Sequence, residues 1–235
     1  MINYAHRGAS EYAPENTLSS FYLGLVCGAN GIETDVQRTK DGVLVLFHDP
    51  TVDRVTDKKG NLADYTLDEL KAMRVFGNVT NNFYDRIVTL REFLEKFSSY
   101  DINFAIEIKV PGVEEETLAM IKEFGIFERT TFTSGYYECI KKIKELDPTA
   151  RVGWLVLRVD EEKPEMLKEI GGEEMAPYAE YLTEEIVKDL REKGLGVRAW
   201  GVANVPLMKK MCDLKVDGMT INFPDRLAEY LHYNK

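Results

Sequence analysis

Ile32-Glu33-Thr34-Asp35-Val36-Gln37, followed after Thr39-Lys40-Asp41-Gly42 by Val43-Leu44-Val45-Leu46-Phe47-His48, is the stretch on which the fold turns. Both arms read as strands, and the few residues between them are too short for a parallel crossover, which needs about a dozen or more. The arms therefore form an antiparallel hairpin, with Asp41-Gly42 as its turn. Elsewhere short apolar strands alternate with amphipathic helices, the pattern of parallel βα units rather than of a sandwich. The spacing predicts strands over Ile2 to His6, Ile32 to Gln37, Phe104 to Lys109, Thr130 to Thr133, Val152 to Leu157, Glu174 to Ala176, Val197 to Val202 and Gly218 to Asn222. Thr66 with Glu69 and Thr89 with Glu92 read as capping boxes, and Thr183 opens a helix that stops at Gly194. The first helix, after Asn16-Thr17, is expected to lay Leu18, Phe21, Tyr22, Leu25 and Val26 against a sheet.

With 235 residues, 44% of them apolar, the chain suits one α/β barrel or two small domains. No repeat or low-complexity linker marks a second domain. Residues 1–235 therefore read as one domain with an elaborated loop over roughly 50–88, including a polar stretch from Asp49-Pro50 to Asp64 and a loop-like region from Asn78 to Arg86. A net charge of -10 disfavours wrapping nucleic acid or clinging to an anionic membrane, since both require excess Lys and Arg. Any phosphate must be captured locally. Met1-Ile2-Asn3-Tyr4 lacks the basic and apolar regions of a secretory signal, and no apolar run approaches the roughly 18 residues of a membrane span. The expectation is a cytoplasmic protein with no stable membrane association. Cys27, Cys139 and Cys212, odd in number and widely spaced, read as buried free thiols.

Glu33 and Asp35 are one residue apart, so on a strand of period two both carboxylates face the same side, and Glu107 and Lys109 repeat the spacing on another strand. Ala105, Ile106 and Ile108 make that second strand a buried one, where an unpartnered carboxylate is costly. The charges need each other or a cation. Three carboxylates suit magnesium, calcium or manganese, and the absence of paired Cys or His ligands argues against zinc. A Lys109-to-carboxylate ion pair would satisfy the same spacing. Of the three histidines, His232 sits in the C-terminal tail, while His6 ends the first strand and His48 ends the hairpin. Two imidazoles can take and give protons on opposite sides of a phosphorus centre. Arg7 offers a planar fork for phosphate oxygens, Gly8 lets a backbone amide approach an anion, and Lys109 adds a point charge.

His6-Arg7-Gly8-Ala9, Ala13-Pro14-Glu15-Asn16-Thr17, Glu33-Thr34-Asp35-Val36-Gln37, Thr39-Lys40-Asp41-Gly42 and Val45-Leu46-Phe47-His48-Asp49 together resemble the signature of the glycerophosphodiester phosphodiesterases. Glu107-Ile108-Lys109, the tryptophan strand from Val197 to Asn204 and the segment Val216 to Asp225 extend the resemblance over nearly the whole chain. The resemblance implies a TIM-type (β/α)8 barrel with a small loop insertion after the second histidine. It further implies one divalent cation on Glu33, Asp35 and Glu107, with His6 and His48 as general acid and base. Arg7 and Lys109 would hold the phosphate, Trp200 would line the pocket beside the alcohol, and Glu15 would take a supporting place. The implied reaction is hydrolysis of a small glycerophosphodiester to glycerol 3-phosphate and an alcohol, through attack by the glycerol's own neighbouring hydroxyl and a cyclic phosphate. A same-fold phosphodiesterase acting on a lysophospholipid or phosphoinositide, and a non-catalytic binder of glycerophosphodiesters, are the competing readings. Two departures stand out. Many relatives read Trp-Thr-Val-Asn where this chain has Trp200-Gly201-Val202-Ala203-Asn204, and Asn222 replaces a common aspartate. Asn222 adds no charge for a metal and is left out of the expected site.

Overall fold

Eight parallel strands close on themselves. The computed structural model describes residues 1–77 and 83–233. Its first part runs β1 (Ile2–His6), α1 (Leu18–Val26), β2 (Gly31–Arg38), β3 (Leu44–Leu46), α2 (Leu67–Ala72), β4 (Val75–Phe76), β5 (Tyr84–Asp85), β6 (Val88–Thr89) and α3 (Leu90–Phe97). It continues through β7 (Asn103–Ile108), α4 (Glu114–Glu123), β8 (Thr130–Ser134), α5 (Tyr137–Leu146), β9 (Arg151–Val156) and α6 (Glu162–Glu169). The last part is β10 (Glu174–Pro177), α7 (Glu184–Glu192), β11 (Gly196–Ala199), α8 (Val205–Asp213), β12 (Gly218–Ile221) and α9 (Pro224–Tyr233). Strands β1, β2, β7, β8, β9, β10, β11 and β12 pair in that order, and β12 returns to β1. The expected eight strands are these eight, with helices around them. No helix among the described residues is long and apolar enough to cross a membrane.

The hairpin forms as its length requires. β3 pairs antiparallel with β2, Val36 opposite Leu46, and the turn closes with the Thr39 hydroxyl donating to Asp41 Oδ1 (2.6 Å) and accepting from the Val43 amide (2.9 Å). Segment 50–88 is more ordered than a loop. Val52, Val55, Leu62, Leu70, Met73, Val75 and Ile87 gather with Val45 and Phe47 of the hairpin into a small apolar core of their own. β4 and β5 pair antiparallel at its edge. Of the loop-like stretch from Asn78 to Arg86, residues 78–82 lie outside the described residues. Both expected capping boxes are present, and Thr183 caps α7 by accepting from the Ile186 amide (3.3 Å).

Of the face read for helix α1, Phe21 is buried and Leu18 and Leu25 pack partly buried against the core, but Tyr22 and Val26 turn outward. Val26 is 82% exposed and Tyr22 is exposed, while Ser20, Phe21 and Gly24 face the barrel. Close approach accounts for the outward pair: a Cβ on Gly24 would stand 2.8 Å from the Ala5 Cβ, so Ser20 and Gly24 join Phe21 at the seat while Tyr22 and Val26 turn to solvent. Phe21 packs edge-on against Phe93 of α3, ring centroids 4.8 Å apart. The cysteines are all free, but only Cys139 is fully buried; Cys27 and Cys212 are partly exposed. His232 is exposed, as expected of a tail residue.

Candidate active site

Parallel register brings the acids together. It sets His6 opposite Glu33 and Asp35 opposite Glu107 across three adjacent strands, and the period of two turns all four side chains to the barrel interior. Glu33, Asp35 and Glu107 each offer an oxygen within 4.8 Å of the others. Lys109 Nζ lies 2.9 Å from Glu107 Oε1 and 3.7 Å from Asp35 Oδ1. Arg7, in the left-handed region at φ 54, bends the chain out of β1, so that its amide donates to Glu33 Oε2 (3.1 Å) and its Nε stands 3.2 Å from Asp35 Oδ2. Asn16 donates from Nδ2 to Asp35 Oδ2 (2.8 Å) and accepts from the Thr34 hydroxyl (2.7 Å). Burial alone would raise Asp35, but Arg7 and Lys109 override it and hold the carboxyl below its usual range. Glu33 and Glu107 go the other way. Burial and the Asp35 charge raise Glu33 well above the usual range and Glu107 to about 7. Two cations do not neutralise this cluster, and Asp35 Oδ1 has no hydrogen-bond partner. Oxygen-only donors this close, one of them orphaned, fit a hard divalent cation.

Each histidine is tied at Nδ1. His6 Nδ1 is 2.6 Å from Asn222 Oδ1, and His48 Nδ1 is 2.6 Å from Asp49 Oδ1. An amide oxygen and a carboxylate can only accept, so both Nδ1 atoms carry the proton and both Nε2 atoms are left for the pocket. Burial and then Arg7 push His6 down to about 3, and burial lowers His48 as well. Asp49 is not merely a turn residue before Pro50. It also accepts from Arg54 Nε (2.6 Å), and Arg54 reaches on to Glu15, which accepts from Arg7 Nη1 (3.0 Å).

His6, Arg7, Glu33, His48, Glu107 and Lys109 line one side of a cavity of about 290 Å³, and Gly135, Leu155, Trp200 and Gly201 line the other. Every site residue expected from the sequence is at or beside this cavity, with Glu15 behind Arg7. The whole constellation lies at the C-terminal end of the barrel strands, where such barrels carry their chemistry. The family model for the glycerophosphoryl diester phosphodiesterases matches residues 6–226. The chain belongs to that family. A glycerophosphodiester phosphodiesterase of Caldanaerobacter subterraneus is 34% identical over 95% of this chain and 94% of its own length. One from Bacillus altitudinis is also 34% identical, over 96% of both chains. Among solved structures, an Oleispira antarctica phosphodiesterase in complex with the product sn-glycerol-3-phosphate superposes with a TM-score of 0.85. It is 27% identical to this chain and covers 97% of it, the match spanning 96% of that structure.

Where this glycerophosphodiester phosphodiesterase departs from the common pattern of its family, the structure gives reasons. β11 ends at Ala199, short of the expected Val202, because Gly201 takes φ 69 and turns the chain away. A Cβ there would lie 2.1 Å from the Tyr178 ring, so Tyr178 occupies the space a threonine would need. Trp200 is fixed beside it, donating from Nε1 to the Val156 carbonyl (3.2 Å) with its ring 4.9 Å from that of Tyr178. Asn204 caps α8, accepting from the Leu207 amide (2.9 Å), and plays no part in the pocket. Asn222, which brings no charge for a metal, is nonetheless the hydrogen-bond partner of His6. Asn16, Arg54 and Arg198 were also missed. Arg198 lines the pocket from β11, fully buried, with Nε donating to Glu174 Oε1 (2.7 Å) and Nη1 to the Thr220 hydroxyl (2.7 Å). Its place at an inward position between Val197 and Ala199 was the available signal.

Proposed function

We propose that this phosphodiesterase cleaves small glycerophosphodiesters to glycerol 3-phosphate and an alcohol, with His6 as the first base and His48 as the first acid. The observation that carries the reading is the pair of imidazoles, each with Nδ1 tied and Nε2 free, opening on one cavity beside three clustered carboxylates, Arg7 and Lys109. The partners distinguish the two rings. Burial and Arg7 lower both rings, His6 to about 3; a neutral amide holds His6, whereas the Asp49 carboxylate offsets part of that lowering at His48 and makes it the better placed of the two to carry the proton first. His6 Nε2 takes the proton of the attacking glycerol hydroxyl as the new P–O bond forms. The bond to the headgroup oxygen breaks, and His48 gives that oxygen its proton. Water then opens the cyclic phosphate with the two roles exchanged, restoring both rings. Arg7 and Lys109 offset the charge that gathers on the equatorial oxygens. Glu33, Asp35 and Glu107 would hold a divalent cation, magnesium, calcium or manganese, which supplies further positive charge to the phosphate when bound. Trp200 and Leu155 form the wall beside the departing alcohol.

We infer further that residues 1–235 act as one domain, in which segment 50–88 is an elaboration of the rim; the small core it forms includes Val45 and Phe47 of the hairpin. Hydrolysis of a panel of glycerophosphodiesters, with glycerol 3-phosphate quantified and with and without EDTA, tests the reading. Turnover should vanish on chelation, and His6→Ala and His48→Ala should each lose about 10²- to 10⁴-fold in rate. Indifference to EDTA, full activity in either variant, or choline release from lysophosphatidylcholine alone would overturn it.

A further inference from the structure

Arg54 lies outside the cavity, yet it joins two of the groups that line it. Its Nε and Nη2 donate to Asp49 Oδ2 (2.6 Å) and Oδ1 (3.1 Å), and its Nη1 and Nη2 donate to Glu15 Oε2 (2.8 Å) and Oε1 (2.7 Å). One guanidinium thus makes two forked contacts at once, a geometry open to arginine and closed to lysine. Beyond Asp49 stands the His48 ring, and beyond Glu15 stands Arg7. The Arg54 backbone is itself immobilised. Val52 and Val55 on either side are buried in the small core of the insertion, and the Val52 amide donates to the Gly60 carbonyl (2.9 Å).

We propose that Arg54 is a positioning residue for the phosphodiester reaction, holding Asp49 so that the His48 ring keeps Nε2 aimed into the cavity. An exposed ion pair ordinarily contributes little to stability, and the Arg54 side chain is 47% exposed, so its value is orientation rather than folding. The two ends of the link differ in what they would lose. Arg7 keeps Asp35 at 3.2 Å and a backbone tie to Glu33, whereas among the described residues the His48 ring is hydrogen-bonded by Asp49 alone. Loss of Arg54 therefore falls on proton transfer more than on phosphate binding. The small core of the insertion acquires a purpose from this: it is the base on which Arg54 stands.

The inference rests on His48 acting in the reaction, and the test separates the two. Steady-state kinetics on glycerophosphocholine are compared for the parent, Arg54→Met, Arg54→Lys, Asp49→Asn, Arg54→Met with Asp49→Asn, and His48→Ala, with melting temperatures for each. Both Arg54 variants should lose about 10-fold or more in kcat with KM within about 3-fold, as removal of an orienting partner does. In the Asp49→Asn background the same Arg54→Met change should cost less than about 2-fold, because the path runs through Asp49. Should Arg54→Met fail to fold, Arg54→Lys carries the same comparison. Full activity in Arg54→Lys, or an equal loss with and without the Asp49 carboxylate, would overturn the proposal. An inactive His48→Ala beside a fully active Arg54→Met would sink this inference alone, whereas a fully active His48→Ala would sink the two-histidine reading.

Discussion

Asn222 shows how an uncharged side chain enters an ionic site. Its carbonyl oxygen fixes the His6 tautomer without lending a charge, beside an Arg7 charge that lowers the ring and favours its neutral form. Replacing it with leucine would leave the Nδ1 proton without its acceptor and let the ring turn. Asn222→Leu is expected to lose about 10- to 100-fold in kcat, as lost orienting partners typically do, while cation affinity measured by titration stays at the parent value. Unchanged kcat would remove Asn222 from the site. Asn222 is not legible from its residue type, since it brings no charge to a metal and its tie to His6 joins positions 216 residues apart. Arg54 is hidden in a similar way: its partner Glu15 is 39 residues away, and no periodicity connects a loop to the end of a strand. By contrast Glu33, Asp35, Glu107 and Lys109 were legible, because alternation along a strand forces them to one face and burial forces them to share partners.

At the level of elements, the end of β11 depends on the neighbouring strand. Gly201 combines φ 69 with the Tyr178 ring in its side-chain space, so the threonine common in relatives meets two penalties here. Gly201→Thr should destabilise the protein by about 1–3 kcal/mol or more through overpacking and backbone strain, read as a lower midpoint in urea. Adding Tyr178→Ala should recover the part due to the ring and leave the part due to φ. Equal stability of parent and Gly201→Thr would show that the ring gives way freely. The βα alternation and the hairpin were legible because turn length and apolar spacing are local quantities. The face of α1 was legible in Leu18, Phe21 and Leu25 only; that Tyr22 and Val26 turn outward follows from how closely Gly24 approaches Ala5, a distance set by the assembled barrel. The small core of segment 50–88 was hidden in the same way: its apolar residues are scattered through polar sequence and meet only when the segment folds over Val45 and Phe47.

Across the whole molecule, the acid cluster links folding to cation and pH. Burial and Asp35 raise Glu107 to about 7 and Glu33 well above its usual range, so in the cation-free fold these groups keep protons that the unfolded chain has lost above about pH 4.3. At these two groups the folded state binds more protons than the unfolded one, so their contribution to stability falls as pH rises from about 4.3 through about 7, while the lowered His6 and His48 act in the opposite sense below about pH 6.5. A divalent cation held by the cluster would take the place of those carboxyl protons, and its binding would strengthen over the same interval. Magnesium, calcium or manganese is therefore expected to raise the melting temperature more at about pH 8 than at about pH 5, with the difference reduced in Glu33→Gln. A cation shift independent of pH would contradict this account of the cluster.

The barrel also divides its labour along the chain. His6, Arg7, Glu33, His48, Glu107 and Lys109 all precede residue 110, whereas Gly135, Leu155, Trp200 and Gly201 on the facing wall all follow it. Asn222, behind His6, and the buried Arg198 at the cavity both come from the far end. A recombination junction near Pro111 would hence exchange the wall, and would have to keep Asn222 for His6 and Arg198 at the cavity. The facing wall can thus change in one half of the gene while the clustered acids, Arg7, Lys109 and both histidines stay encoded in the other.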